Sequence, residues 1–258
     1  MTMTQWDQNE LEAYPLTGRF LANRVRAELT AEEKRVLETS VDEVEVFDRT
    51  RRILTQGEVY NHSTILIDGL VMRTIEGADR RHGISIQVPG DFVDLHCFAL
   101  KRLDHNLDTV GPVRLGYVRH SRLREIMDHY PKLARILWFA TLVDAAIHRE
   151  WVMKLEQLTV PKRLAHVFAE NWYRLRLVGL GDENGFASPL NQAVLSELVG
   201  ATPIHVSRAL KDLRERGIAD FSRGRIDLPD REKLYEFAAF DPDYLYGTKG
   251  FDPGSENG

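Results

Sequence analysis

Between residues 188 and 226, six basic side chains (Arg208, Lys211, Arg214, Arg216, Arg223, Arg225) stand against four acidic ones (Glu197, Asp212, Glu215, Asp220). The stretch is therefore +2 in a chain of 258 residues whose net charge is -5. Cationic groups gathered this way suit phosphate, and a guanidinium can also pair with the O6 and N7 of guanine. The other groups capable of chemistry are His62, His82, His96, His105 and His120, with the single cysteine Cys97. Imidazole and thiolate can ligate haem or a metal, but no C-x-x-C or H-x-H spacing gathers them, and no metal ligand set is assigned. One cysteine excludes an internal disulfide, a four-cysteine zinc site and an all-cysteine iron-sulfur cluster. Nor is there a P-loop or a G-x-S-x-G, since Gly83-Ile-Ser85-Ile-Gln87 lacks the last glycine. An enzyme is not expected.

The elements that must hold the basic segment are legible from their punctuation. Asn191 can cap a short helix whose apolar positions are Val194, Leu195, Leu198 and Val199, and Gly200 can stop it in the left-handed conformation. Thr202 then caps a second helix with Pro203 in its first turn, where a missing N–H costs nothing. That helix buries Val206, Ala209, Leu210 and Leu213 and turns His205, Arg208, Lys211 and Asp212 outward. Two helices joined by so short a turn have the shape of a helix-turn-helix, whose second helix enters the major groove of duplex DNA. Strand-like runs at 218–221 and 225–228 follow. They flank a turn that displays Arg223 and Arg225, and read as a wing.

Upstream, short runs rich in Val and Ile at 44–47, 63–67, 70–75, 84–88 and 113–118 are separated by glycines, the spacing of strands in a compact β barrel or roll. Asp68-Gly69 is the best hairpin signal among them. Thr30 and Glu33 form a capping box that starts a helix. Beyond residue 121 the period becomes helical: Leu133, Ile136, Ala140, Val143, Ile147, Trp151 and Leu155 fall on one stripe. Such a stripe either covers the chain's own roll or forms a coiled-coil-like seam with a second copy. The helix is long for a mere cover, so the seam is the reading taken. Pro161 breaks it, a further helix follows at 162–178, and 179–188 reads as a linker. The longest apolar runs are too short for a bilayer helix and the N-terminus lacks a signal-peptide pattern. A reducing cytoplasm and no membrane contact are expected.

The run Leu195-Ser-Glu-Leu-Val-Gly200-Ala-Thr-Pro-Ile-His-Val206-Ser-Arg208-Ala-Leu-Lys-Asp-Leu213, with Gly217-Ile218 after it and Pro89-Gly90-Asp91-Phe92 before it, resembles the Crp/Fnr family of bacterial transcription regulators. The resemblance spans roughly residues 30–235. It implies an α+β chain: an N-terminal arm (1–30), a cyclic-nucleotide-binding-like jelly roll or β-roll sensor (31–130) and a dimerisation helix (131–158). A winged helix-turn-helix (159–238) and a flexible tail (239–258) complete it. It further implies a homodimer on palindromic duplex DNA, with RNA polymerase as a further partner. Arg208 matches the family's guanine-reading arginine. Asn191, Thr202 and His205 match phosphate-contacting positions, Lys211 lies where a basic residue is usual, and Arg223 and Arg225 supply the wing. Pro203 and Ile204 replace an Arg and a Glu that read bases in the best-known members, so the operator should differ there.

The effector pocket expected by position comprises Asp94, Leu95, His96, His105 and Asn106. Family members that bind cyclic nucleotides carry a Gly-Glu pair at the first two of these positions and an Arg-Ser pair at the last two. Leu95 cannot accept from a ribose hydroxyl, Asp94 adds charge of the wrong sign for a phosphodiester, and His105 lacks an arginine's fork. Cyclic nucleotide is therefore not expected, and the cofactor is left open. The alternative is a haem- or metal-dependent gas- or redox-sensing regulator and, behind it, a cupin-like metal enzyme.

Overall fold

In the computed structural model, which describes residues 5–247, the local signals become elements in this order. They are α1 (Gln5–Ala13), α2 (Ala31–Thr39), β1 (Glu43–Phe47), β2 (Arg52–Leu54), β3 (His62–Glu76), β4 (Arg81–Gln87), α3 (Cys97–Leu100), β5 (Asn106–Arg119), α4 (His120–His129), α5 (Pro131–Gln157) and α6 (Val160–Leu177). Then come β6 (Gly181–Asp182), β7 (Gly185–Ala187), α7 (Gln192–Val199), α8 (Pro203–Glu215), β8 (Asp220–Ser222), β9 (Arg225–Asp227) and α9 (Arg231–Ala238). The Thr30 cap forms: its hydroxyl accepts from the Glu33 amide at 3.2 Å and its own amide donates to the Glu33 carboxylate at 2.8 Å.

The roll is one antiparallel sheet in the order β1-β5-β3-β4, with β2 also paired to β5. Asp68-Gly69 does not make the expected hairpin. The two runs at 63–67 and 70–75 belong to one strand, β3, whose register against β5 shifts on either side of Asp68. Gly69 takes a positive φ of 86°, and a Cβ there would collide with the Pro112 carbonyl. A positive-φ glycine serves a bulge as well as a turn, and here it bends a long strand instead of reversing it. The bent sheet encloses Phe47, Leu66, Val71, Val93, Leu107 and Leu115.

Three terminal or linking segments differ from expectation. The N-terminal arm is packed: Phe20 meets Phe92 edge to face at 5.5 Å, buried Arg26 donates to Glu10 at 2.7 Å, and Asn23 donates to the Leu177 carbonyl at 2.7 Å. The stretch 179–188 is not a bare linker, because β6 and β7 join the wing strands in a sheet ordered β6-β7-β9-β8. In the tail, a 3-10 turn at Pro242–Leu245 buries Leu245 completely, and Tyr244 donates to Glu170 at 2.7 Å; residues 248–258 lie outside the described residues. In each case the polar, weakly periodic sequence hides a few apolar or paired residues that reach distant partners.

The roll and the C-terminal half meet through buried charge. Arg174 of α6 is 2% exposed and donates to Asp91 at 2.5 Å, to the Ile86 carbonyl at 2.8 Å and to Glu170 at 3.3 Å. Burial alone would lower its pKa, but Asp91 and Glu170 outweigh that and raise it. At the surface, Arg81 on β4 pairs with Glu197 on α7 at 2.9 Å. Removing one member of a buried ion network strands the others without compensation. Arg174→Ala should lower stability by about 3–5 kcal/mol in urea unfolding; a loss under about 1 kcal/mol, typical of an exposed pair, would show that the network contributes little.

Candidate functional site

Local capping sets the outward face of the helix-turn-helix. Asn191 accepts from the Val194 amide at 3.0 Å, Gly200 closes α7 with a φ of 64°, and Thr202 accepts from the His205 amide at 3.4 Å. Val206, Ala209 and Leu213 of α8 are buried against the domain. Thr202, Pro203, Ile204, His205, Arg208 and Lys211 are exposed, so the structure gathers these sequence-selected residues on one accessible surface. Asn191 is also exposed, with its side chain engaged as the α7 cap. Among the described residues, the Arg208 and Arg223 side chains have no hydrogen-bond or ion-pair partner. Lys211 is only loosely paired, 3.6 Å from Glu215. Ile204, 65% exposed, offers an apolar contact beside them.

The wing turn is the two-residue Arg223-Gly224, with φ values of 51° and 73°, which suits the right-handed twist of a hairpin. Arg223 projects from it. Arg225 does not join Arg223 as a free cation: its guanidinium donates to Asp227 at 2.6 Å and to Asp182 at 2.7 Å. Asp182 comes from the hairpin that was read as a linker, so this neutralisation is invisible in the local sequence.

The second candidate region is a cavity of about 420 Å³ between the roll and α5. Leu95, His96 and His105 line it together with Arg73, Asp104, Asp144 and His148. Two residues expected there are used elsewhere. Asp94 is fully buried and accepts from the Thr64 amide at 2.5 Å and hydroxyl at 3.0 Å, while Asn106 accepts from the Gln56 amide at 2.9 Å. Burial pushes the Asp94 carboxyl up to about 7. Cys97 is buried within the roll, and burial raises its thiol to about 12, which leaves it protonated and inert.

Sequence reasoning missed the charged half of this cavity. Arg73 sits in the last third of β3 at 1% exposure and holds both Asp144 oxygens at 2.6 and 2.7 Å and the Val93 carbonyl at 2.6 Å. The available signal was an arginine inside a Val/Ile-rich run. The Asp144 carboxyl lies below its usual range: burial would raise it, but the charge and hydrogen bonds of Arg73 prevail. His96 and His105 are both pushed down, first by burial and then by the Arg73 charge, against the opposing pull of Asp104. His105 Nδ1 stands 2.7 Å from Asp104 Oδ1.

Helix α5 also departs from expectation. Leu133, Ile136, Val143, Ile147 and Trp151, assigned to a seam between copies, are buried at 3% exposure or less within one protomer. Ala140 is half-buried, and only Leu155, at 39%, stays open. A different stripe faces outward: Trp138 (63%), Leu142 (48%), half-buried Ala145, Val152 (67%) and Leu155. Its spacing of mostly three, four and seven residues suits helix pairing. Because α5 is apolar on two faces, periodicity alone could not say which one the roll covers.

Residues 162–237 match the Crp-like helix-turn-helix domain. The transcriptional activator protein FnrL of Cereibacter sphaeroides is 23% identical over 196 residues, covering 74% of this chain and 78% of that one. The C-terminal part of the chain is thus similar to a Crp-like helix-turn-helix domain, and most of the chain is similar to a transcriptional activator of that kind. The fold recurs in FixK2 from Bradyrhizobium japonicum, with a TM-score of 0.69 at 21% identity, covering 77% of this chain and 98% of that one. It recurs again in CLP from Xanthomonas campestris, described as a c-di-GMP responsive global regulator, with a TM-score of 0.60 at 17% identity, covering 78% and 100% respectively. No helix among the described residues is long and apolar enough to cross a membrane.

A homodimer formed through α5 would use the outward stripe. Leu142→Glu combined with Val152→Glu should yield folded monomers by sedimentation and circular dichroism, because two apolar side chains per protomer would become charged in a dry seam. Val143→Glu with Ile147→Glu should unfold the protomer instead. Dimers persisting in the first variant would place the contact elsewhere.

Proposed function

We propose that this transcription regulator binds a palindromic duplex site as a homodimer, reads it with the N-terminal half of α8, and is governed by a ligand in the cavity beside α5. The observation that carries the DNA reading is the pair of unneutralised guanidinium groups, Arg208 on the exposed face of a capped helix and Arg223 at the wing turn. Both are available for an external anion without first breaking an internal bond. Arg208 lies under two turns beyond Thr202, within the segment that a helix-turn-helix presents to base edges. Thr202, His205, Lys211 and Asn191 are placed to meet the phosphate backbone, and Ile204 to meet a thymine methyl. Half-site centres are expected about one helical turn, roughly 34 Å, apart. Arg225 has a lesser role, since Asp182 and Asp227 already satisfy it. Action in the cytoplasm alongside RNA polymerase is part of the same proposal.

The cavity argues for a ligand other than a cyclic nucleotide. Among the described residues Arg73 is the one guanidinium lining it, and Asp144 and the Val93 carbonyl already hold that group. A phosphodiester would have to displace a carboxylate from a bidentate pair. Calorimetry at neutral pH should therefore show no micromolar binding of cyclic AMP or cyclic GMP, and binding at that level would overturn this part of the reading.

The DNA proposal is tested by sequencing duplexes that the protein selects from a random pool. Arg208→Ala should cost about 1–3 kcal/mol per half-site and flatten preference at one base position. Arg223→Ala should weaken every sequence alike and reduce the salt slope by about one. An Arg208→Ala protein that selects the same base profile would mean that α8 does not read the groove.

A further inference from the structure

We propose that His96, Asp104 and His105 form a binding site for a divalent first-row transition-metal ion at the mouth of the cavity. This names a ligand for that cavity and rests on its reading as the regulator's sensing site. The three residues are brought together by a local fold-back. Helix α3 starts directly after His96, Lys101 ends it in the left-handed conformation with a φ of 63°, and the chain returns through Asp104 to begin β5 after His105. One ligand atom from each residue lies within 4.8 Å of the other two. His96 Nε2 stands 3.4 Å and His105 Nδ1 2.7 Å from Asp104 Oδ1.

The second observation is independent of that proximity. His105 is only 4% exposed, and its Nε2 is buried without a hydrogen-bond partner, as is His96 Nε2. A buried polar atom left unpaired costs free energy, so His96 Nε2, the nitrogen that faces Asp104, points to a missing occupant of this polar cavity, while His105 would offer the ion whichever one of its two nitrogens faces it. The donor set narrows its chemistry. Two imidazoles and one carboxylate suit Zn²⁺, Co²⁺, Ni²⁺ or Fe²⁺, whereas Ca²⁺ seeks six to eight oxygens. Around an ion with bonds of about 2.0–2.2 Å, tetrahedral ligand atoms sit roughly 3.4 Å apart. The present cluster needs a side-chain adjustment to reach that, and Asp104 is free to make one because its side chain is 70% exposed. The same exposure provides an entry path.

The surroundings accept the charge. Arg73, which would repel a cation, is held by both Asp144 oxygens. Three protein ligands leave coordination positions open toward the cavity, whose α5 wall carries Asp144 and His148. An ion there would join the fold-back segment to the cavity beside the outward stripe of α5.

The experiment titrates the full chain, stripped with EDTA and dialysed, with Co²⁺ followed by its visible ligand-field absorption, and with Zn²⁺ in competition. One ion per chain with micromolar or tighter affinity is expected. Affinity should fall at least about tenfold in His96→Gln/Asp104→Asn, and should be unchanged in the control His120→Gln. Should the double variant misfold by circular dichroism, Asp104→Asn alone decides, since that side chain is exposed. Absence of saturable binding, or equal affinity in the folded variant, overturns the site. DNA affinity is measured separately in EDTA and with the ion. Saturable, ligand-dependent metal binding in a chain that binds no DNA would keep the site and reject the regulator reading, and DNA binding without metal binding would do the reverse.

Discussion

A buried charge must be paired, and the fold is organised around one that is. Arg174 reaches from α6 into the glycine-aspartate turn of the roll, bonding Asp91 and the Ile86 carbonyl, while Glu170 on the same helix supports it from behind. Glu170 in turn accepts from the Trp151 indole on α5 at 3.0 Å and from Tyr244 in the C-terminal turn. Lys154, fully buried over the Trp151 ring at 3.2 Å, has its pKa pushed down to about 7 by burial, against the pull of Glu170. The four elements that meet here cannot shift independently without exposing or stranding a charge. The roll, the long helix and the helix that leads into the DNA-binding half therefore share one set of constraints.

A separate set of contacts fixes the helix-turn-helix against the roll. Helix α7 rests on β4 through Arg81 and Glu197, and the Gly200 carbonyl that follows it accepts from Arg80 at 3.2 Å. The first helix is thus held to the roll, while α8 keeps its polar face and Ile204 open to solvent. The cavity wall, the outward stripe of α5 and the Arg73–Asp144 pair all lie on the same long helix or against it. The cavity lies against α5, and α5 is tied to α6 through Trp151 and Glu170.

The parts of the fold that were legible beforehand are those settled by hydrogen bonds between near neighbours. Thr30 with Glu33, Asn191 with Val194 and Thr202 with His205 each span three residues. Gly200 and the Arg223-Gly224 turn depend only on their own backbone angles. The order of parts, the helix-turn-helix and its exposed basic residues could accordingly be read from pattern. The candidate cavity was half legible: Leu95, His96 and His105 line it, whereas Asp94 and Asn106 are consumed by Thr64 and Gln56.

The amino-acid sequence by itself determined the caps at Thr30, Asn191 and Thr202, the break at Gly200, and the face that α8 turns outward, because each follows from interactions within one or two turns of chain. Pro161, expected to break the long helix, instead lies in the first turn of α6, two residues after the break at Leu158–Thr159. Tertiary structure alone decided which apolar face of α5 is buried, that Asp68-Gly69 bends a strand, that Asp182 neutralises Arg225, and that Arg73 and Asp144 share a cavity with His96, Asp104 and His105. Those outcomes join residues as far apart as 71 positions, for Arg73 and Asp144. Periodicity shows that a face or a charge needs a partner, but the partner is chosen by the packing of distant segments.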